Sequence, residues 1–396
     1  MTTVPRLTVR PFHRARSPRV TTVIEAVRLP DPYPYYATLV AERPLAFDTG
    51  LGAWVACDAA VVRAVLAADC LRVRPAAEPV PGGIVGTPAG DVFGDLVRMT
   101  DGPLQQRLKS VVVEALGHVD PAHTARLAAE RTRECLAAGG HPPYEELMFA
   151  VPARVVAALC GLDRGLGAEA ARLTGDFVQC IPASAGPEQY RTASRAAARL
   201  RELLGPGIEK GEDGTGLLAE LVRAAQRASW PRTAALLANA VGFLSQTFDA
   251  TAGLIGNSLL ALARGAEPPA TRAAAEALVR EVARHDAPVQ NTRRFAAEPF
   301  CHDGVEIAPG EQVLVVLAAA NRDPAVNPDP HAFRPGRQAP AVFTFGAAAH
   351  RCPGESLAVA VAAAVLTELL TAGADLAKLP AQPAYRPLAN ARIPVL

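Results

Sequence analysis

The sequence predicts a mainly α fold, a single domain of many helices with small peripheral β-sheets, and three observations carry that expectation. Alanine is abundant while aromatic residues make up only 5% of the chain, and alanine gives up no side-chain entropy on entering a helix. Helical patterning runs almost unbroken over residues 102–262. Within it, residues 232–264 contain no proline. At about 1.5 Å of rise per residue that run can cross a whole domain.

The remaining elements follow in chain order. Residues 1–24 carry five arginines and no acid. Lacking a continuous apolar core, they read as a loosely ordered basic arm rather than a targeting peptide, ahead of one catalytic domain over residues 25–396. Asp31-Pro-Tyr-Pro-Tyr35 leads into a first short helix, and residues 44–47 and 53–56 read as a strand pair around Thr49-Gly50. A helix follows at about residues 58–67. Residues 72–95, rich in proline and glycine, read as a long functional loop, the kind that forms a lid over a pocket. Gly82, Gly83 and Gly86 follow no strand and open no helix, which sets a phosphate-loop reading aside. The helical stretch is expected to break at Gly139-Gly140, Gly165, Pro187, Pro206 and Pro231. Beyond the helix containing Glu281, residues 305–315 read as two strands joined through Pro309-Gly310. An irregular stretch over residues 321–344, an alanine-rich helix over residues 355–371 and an extended tail from Tyr385 complete the chain. No linker or internal repeat is visible.

The net charge of +1 carries no polyanion signature, so nucleic acid is not an expected partner. No window reaches about 18 uninterrupted apolar residues, and no membrane span is expected. The seven cysteines form no Cys-x-x-Cys pair. Their odd number, with no secretory signal ahead of them, points to a reducing, cytoplasmic compartment.

One cysteine stands apart. In Phe345-Gly-Ala-Ala-Ala-His-Arg-Cys352-Pro-Gly-Glu355 the sulfur faces the start of a helix, whose dipole and free amides favour thiolate over thiol. A thiolate in an apolar surround suits a soft metal, and haem iron held by cysteine is the known case. Two plainer readings compete: a small buried hydrophobe, or half of a zinc site through His350-x-Cys352, for which no second pair at zinc spacing exists.

These residues resemble the cytochrome P450 signature Phe-Gly-x-Gly-x-His-x-Cys-x-Gly, matched at Phe345, Gly346, His350, Cys352 and Gly354, with Ala348 where the second glycine belongs. Glu281-Val-Ala-Arg284 is similar to the family's Glu-x-x-Arg helix, and Ala320-Asn-Arg-Asp-Pro324 to the opening of its irregular meander. The resemblance runs from Asp31-Pro-Tyr-Pro to the Ile393-Pro-Val tail. It implies a single P450-type domain with a long central helix over haem b, an iron bound axially by the Cys352 thiolate, and Phe345 shielding that sulfur. It implies that His350 and Arg294 hold haem propionates, beside Gly346 in the loop. Gln105 and Lys109 stand where the family often has a histidine and an arginine over the other propionate; the competing reading is plain surface exposure. Glu281 and Arg284 are expected to lock the core. Ala332 stands where their third partner, an arginine, is usual, leaving Arg334 or Arg337 as substitutes.

The resemblance aligns Leu244-Ser-Gln-Thr-Phe-Asp-Ala-Thr with the family's oxygen-binding helix, Ala-Gly-x-Glu/Asp-Thr-Thr. Asp249 is retained, Gln246-Thr247 replaces the small pair, Ala250 lacks the usual hydroxyl, and Thr251 follows one position later, turned by about 100° on a helix. Proton delivery needs an acid and a hydroxyl or water relay, so Asp249 and Thr251 are the expected catalytic residues. Gln246 either faces a neighbouring helix as a satisfied core amide or projects, with Thr247, toward haem. Phe177, Gln246, Thr247, Ala250, Val289, Gln290 and the 72–95 loop are carried over by position as the pocket for a mid-sized, secondary-metabolite-like organic substrate. Two activities are implied: a monooxygenase fed by a separate ferredoxin and its reductase, or atypical haem-thiolate chemistry such as peroxide use, oxidative coupling, nitration or dehydration. A non-catalytic haem carrier or sensor is the third reading. Arg107, Lys109 and Arg351 are expected near the face that meets an acidic redox partner.

Overall fold

The computed structural model describes residues 22–137, 144–182, 184–380 and 382–396. Most of the expected basic arm and the Gly139-Gly140 break lie outside these residues. Thr22 closes a capping box with Glu25 over the short helix Val23–Ala26.

The architecture is mainly helical. The helix Thr233–Ala263 runs through the middle, flanked by Arg232 and Arg264 as caps, and most of its side chains from Ala235 to Leu262 are buried. It packs against the helices Pro88–Asp95, Tyr144–Leu159, Pro187–Glu209, Arg272–His285 and Glu355–Thr371. The breaks expected at Gly165 and Pro206 fall a few residues away from them, at residues 160–163 and just beyond Glu209. Gly165 sits in the first turn of the helix Arg164–Val178, whose start is capped by Asp163, and Pro206 sits in the last turn of Pro187–Glu209. Gly165 lies where the backbone N–H groups have no partner within the helix, whereas Pro206 forgoes one bond to the preceding turn close to the point where its helix ends.

Strands Leu45–Asp48 (β1), Ala53–Ala56 (β2), Leu71–Arg72 (β3), Thr292–Ala296 (β4) and Gln312–Val315 (β7) form one sheet in the order β1-β2-β7-β4-β3; Phe300–His302 (β5) and Val305–Ile307 (β6) form a second. The β1/β2 pair is antiparallel with Leu45 opposite Ala56. The two strands read in residues 305–315 exist, but they serve different sheets: β6 pairs with β5, while β7 lies between β2 and β4. Residues 72–95 are also more ordered than a loop. A tight turn at Gly82–Ile84 precedes the helix Pro88–Asp95, which Thr87 caps through the Gly90 N–H. Proline and glycine masked that helix in the sequence; burial of Val92 and Phe93 secures it. No helix among the described residues is long and apolar enough to cross a membrane.

Candidate active site

The cysteine loop is held by its own backbone. The Gly346 N–H donates to Phe343 O and the Cys352 N–H to Phe345 O, both at 2.7 Å, and the Arg351 N–H to Ala348 O at 3.1 Å. Gly346 has φ +69°, and a Cβ there would lie 3.2 Å from His350 O, so glycine fits as no other residue does. Ala348 takes up the left-handed conformation too, at φ +51°: the loop keeps the shape expected of two glycines while one of them is alanine. Phe345 is partly buried against the main core. Helix Glu355–Thr371 starts just past the cysteine, with Gly354 as its N-cap.

Burial is the largest influence on the Cys352 thiol and pushes it up; the Gly354 N–H, Lys109 and Arg351 act against it without reversing the direction. The helix terminus and the nearby cations favour the thiolate as expected, and iron binding would supply the rest. Removing a sulfur from water outweighs a few dipoles, and a bound metal cation is what would tip the balance.

Behind the loop, Glu281 and Arg284 form a buried pair at 2.7 Å. Arg337 completes it, with Nε 3.1 Å from Glu281 Oε1. Arg334 contributes only its backbone N–H, at 2.8 Å. The Ala332 position takes part through its carbonyl, which accepts from both Arg284 and Arg337.

A second cluster surrounds a cavity of about 120 Å³ lined by Arg72, Asp101, Gln105, Arg294 and His350, among others. His350 Nε2 lies 3.0 Å from Asp101 Oδ1. Arg294 is 4% exposed, and its side chain donates to Arg293 O; burial draws its pKa down to about 10. Gln105 donates to Ala349 O at 3.2 Å and Lys109 Nζ to Arg351 O at 2.6 Å. The pair therefore rests on the cysteine loop instead of standing free on the surface. A buried guanidinium with no carboxylate within 4.0 Å among the described residues, beside a histidine and an amide, suits the propionates of haem b. Cys352 would supply the soft sulfur ligand, so the residues present fit the group. Zinc is not favoured, since no three His, Cys, Asp or Glu side chains among the described residues are grouped to hold a metal.

On the central helix Gln246, Thr247, Asp249 and Ala250 are partly exposed, whereas Thr251 is 1% exposed. Asp249 is held above the usual carboxylate range by burial, with Arg386 and then Arg98 pulling the other way. Thr251, two residues beyond Asp249, is nearly fully buried. Thr247 Oγ1 donates to Phe243 O, one turn back in its own helix, at 2.8 Å. Gln246 is neither a buried core amide nor free: its Oε1 accepts from Arg98 Nη1 at 2.5 Å.

Two positions carried over as pocket residues belong elsewhere. Gln290 is 0% exposed; its Oε1 accepts from Tyr36 Oη at 2.9 Å and its Nε2 donates to Ala287 O at 2.7 Å. Phe177, also 0% exposed, is part of the main core. Alignment places a Cα and leaves the side-chain direction open, and here both point into packed interior. Val289 stays partly exposed, bridged to Ala391. Of the three basic residues expected near a redox partner, Arg107 is tied to Ala228 O and Ser229 O and stacked over Trp230. Lys109 is held by the loop, and Arg351 reaches Glu355 at 3.1 Å while staying largely exposed. Arg98 and Asp101 escaped the sequence reading. Asp101 had a faint signal in its place before Gly102-Pro103; Arg98 had none.

Comparison with known proteins bears on this geometry. Residues 273–372 match the family described as Cytochrome P450. The chain is 31% identical to the cytochrome P450 monooxygenase PikC of Streptomyces venezuelae, over 88% of this chain and 85% of that one. It is 28% identical to the 6-deoxyerythronolide B hydroxylase of Saccharopolyspora erythraea, over 90% and 88% of the two chains. The crystal structure of CalO2 superposes with a TM-score of 0.80 at 22% identity, covering 94% of this chain and 95% of that one, a likeness of fold.

Proposed function

The chain belongs to the cytochrome P450 family, and from that premise we propose that this haem-thiolate oxidoreductase is a monooxygenase. Its substrate is a mid-sized organic molecule, oxidised with dioxygen and two electrons from a separate ferredoxin. When bound, haem b supplies the redox iron for that oxidation. Cys352 Sγ would hold its iron, with Arg294 and His350 holding the propionates and Gln105 beside them. Lys109, by holding Arg351 O, steadies the cysteine loop, and Gly346 gives that loop its turn. The likeness to a monooxygenase and a hydroxylase that act as named supports this reading.

The observation that carries the reading is Asp249. Its carboxyl sits on the central helix, partly open, with its pKa raised chiefly by burial. Such a group holds a proton to higher pH than an ordinary aspartate and can pass it on, which dioxygen chemistry needs and peroxide chemistry needs less. Ala250 offers no hydroxyl, so the relay beside Asp249 falls to the Thr251 hydroxyl or to water.

The test is turnover on NADH through a surrogate ferredoxin and reductase, compared with turnover on hydrogen peroxide. Asp249→Asn should slow the dioxygen reaction by roughly 10²–10⁴-fold and spare most of the peroxide reaction. Wild-type protein that turns over on peroxide alone favours the atypical chemistry and overturns the proposal.

A further inference from the structure

Asn239, Gly242, Gln246 and Asp249 follow one another at spacings of three and four along the central helix and so share one face. That face holds the segment 95–98 tightly. Asn239 Nδ2 donates to Asp95 O at 2.8 Å and its Oδ1 accepts the Val97 N–H at 3.0 Å. A Cβ on Gly242 would come within 2.9 Å of Leu96 Cδ2, so the segment lies directly on the helix. Arg98 is thereby fixed at the Gln246 turn, one helical turn from Asp249.

Arg98 is exposed, yet the protein around its guanidinium draws the pKa down, with the charges of Cys352 and then Asp249 acting the other way. Its hydrogen bond among the described residues goes to the neutral Gln246 amide, and no carboxylate lies within 4.0 Å of it. An arginine has five N–H donors in a planar fork that matches a carboxylate in two bonds. Among the described residues only Nη1 is engaged. Arg98 is not among the residues that line the cavity of Arg294, His350 and Gln105.

We propose that Arg98 anchors the substrate, and that the substrate is an organic acid whose carboxylate it binds. The proposal rests on the P450 reading, and the experiment keeps the two apart. Holoenzyme is first checked for the carbon monoxide band of thiolate-ligated haem; loss of that band in wild type would defeat the family-level site, whatever Arg98 does. A panel of aliphatic and aromatic carboxylic acids, each paired with its methyl ester, is then titrated while the haem absorption band is followed. Wild type should bind at least one acid about tenfold or more tightly than its ester. Arg98→Gln should erase that preference while keeping the carbon monoxide band and ester affinity, and Arg98→Lys should restore part of it. Equal binding of acid and ester across the panel, or discrimination that survives Arg98→Gln, overturns the proposal. So does an Arg98→Gln protein that merely releases haem faster to apomyoglobin with discrimination intact, since Arg98 would then serve the cofactor.

Discussion

Ala348 holds a left-handed turn at φ +51° without the glycine that such a turn favours. The conformation costs an L-residue roughly 1–2 kcal/mol, and glycine's freer unfolded chain takes back about 0.4–1 kcal/mol. Ala348→Gly should therefore stabilise the protein by about 0.5–1 kcal/mol in urea unfolding; a destabilised variant would show that the alanine methyl has a packing role. A few residues on, Pro353 has no N–H to offer the Cys352 sulfur, leaving the Gly354 N–H as the backbone donor facing it. Hydrogen bonds to an iron-bound sulfur withdraw electron density and raise the reduction potential. Pro353→Leu should raise the potential by tens of millivolts, on the order of 1 kcal/mol for one modest hydrogen bond. Spectroelectrochemical titration checks this, and an unchanged or lower potential in a protein with an unaltered carbon monoxide band counts against it.

At the scale of elements, the helix Arg272–His285 is joined to the irregular 321–344 stretch by Glu281, Arg284 and Arg337. The pattern Glu-x-x-Arg was legible, but the third member was not. Arg334 and Arg337 lie three residues apart in a segment without regular dihedrals, so no periodicity says which side chain turns inward. Only Arg337 does; Arg334 aims its side chain at Asp329 on the surface. Arg337→Ala strips a charged hydrogen bond from a buried carboxylate and should cost about 1–3 kcal/mol. Arg334→Ala leaves its backbone N–H in place and gives up an exposed ion pair worth about 0–1 kcal/mol. Urea midpoints for the two variants decide the assignment, and equal losses would refute it. The central helix shows the same division between pattern and direction. Its span was visible because no proline interrupts it, whereas the partner of Gln246 comes from a segment far away in sequence.

Across the whole molecule, a buried network ties the first helices, the Glu281 helix and the tail together. Arg392 donates to Asp286 at 2.8 Å and to the Val27, Leu29 and Pro30 carbonyls, and Arg322 stacks over Tyr33 at 3.4 Å. His285 belongs to this region, with Nε2 2.9 Å from His331 O and its ring against Phe333. Burial, followed by the charge of Arg322, pushes its pKa from 6.5 down to about 4. The folded state thus keeps His285 neutral while the unfolded chain protonates it. Its contribution is present above pH 6.5 and is lost as pH falls from 6.5 toward 4. Between pH 7 and pH 5 the loss should be about 2 kcal/mol. His285→Gln should flatten that part of the stability curve; a slope equal to wild type would mean that His285 titrates normally when folded.

Fold class, the long helix, the Glu355–Thr371 helix and the ligand loop were all readable from the chain alone, because each is encoded locally. Proline-free runs, capping residues and Phe345-Gly with Cys352-Pro-Gly act on near neighbours through backbone sterics and hydrogen bonds. Packing settled what local signals leave open. It put β6 and β7 into separate sheets, made a helix of Pro88–Asp95, turned Phe177 and Gln290 into the interior, and brought Arg98 onto Gln246. Those outcomes depend on which distant surfaces a side chain meets after the chain has collapsed, and neither periodicity nor motif spacing carries that information.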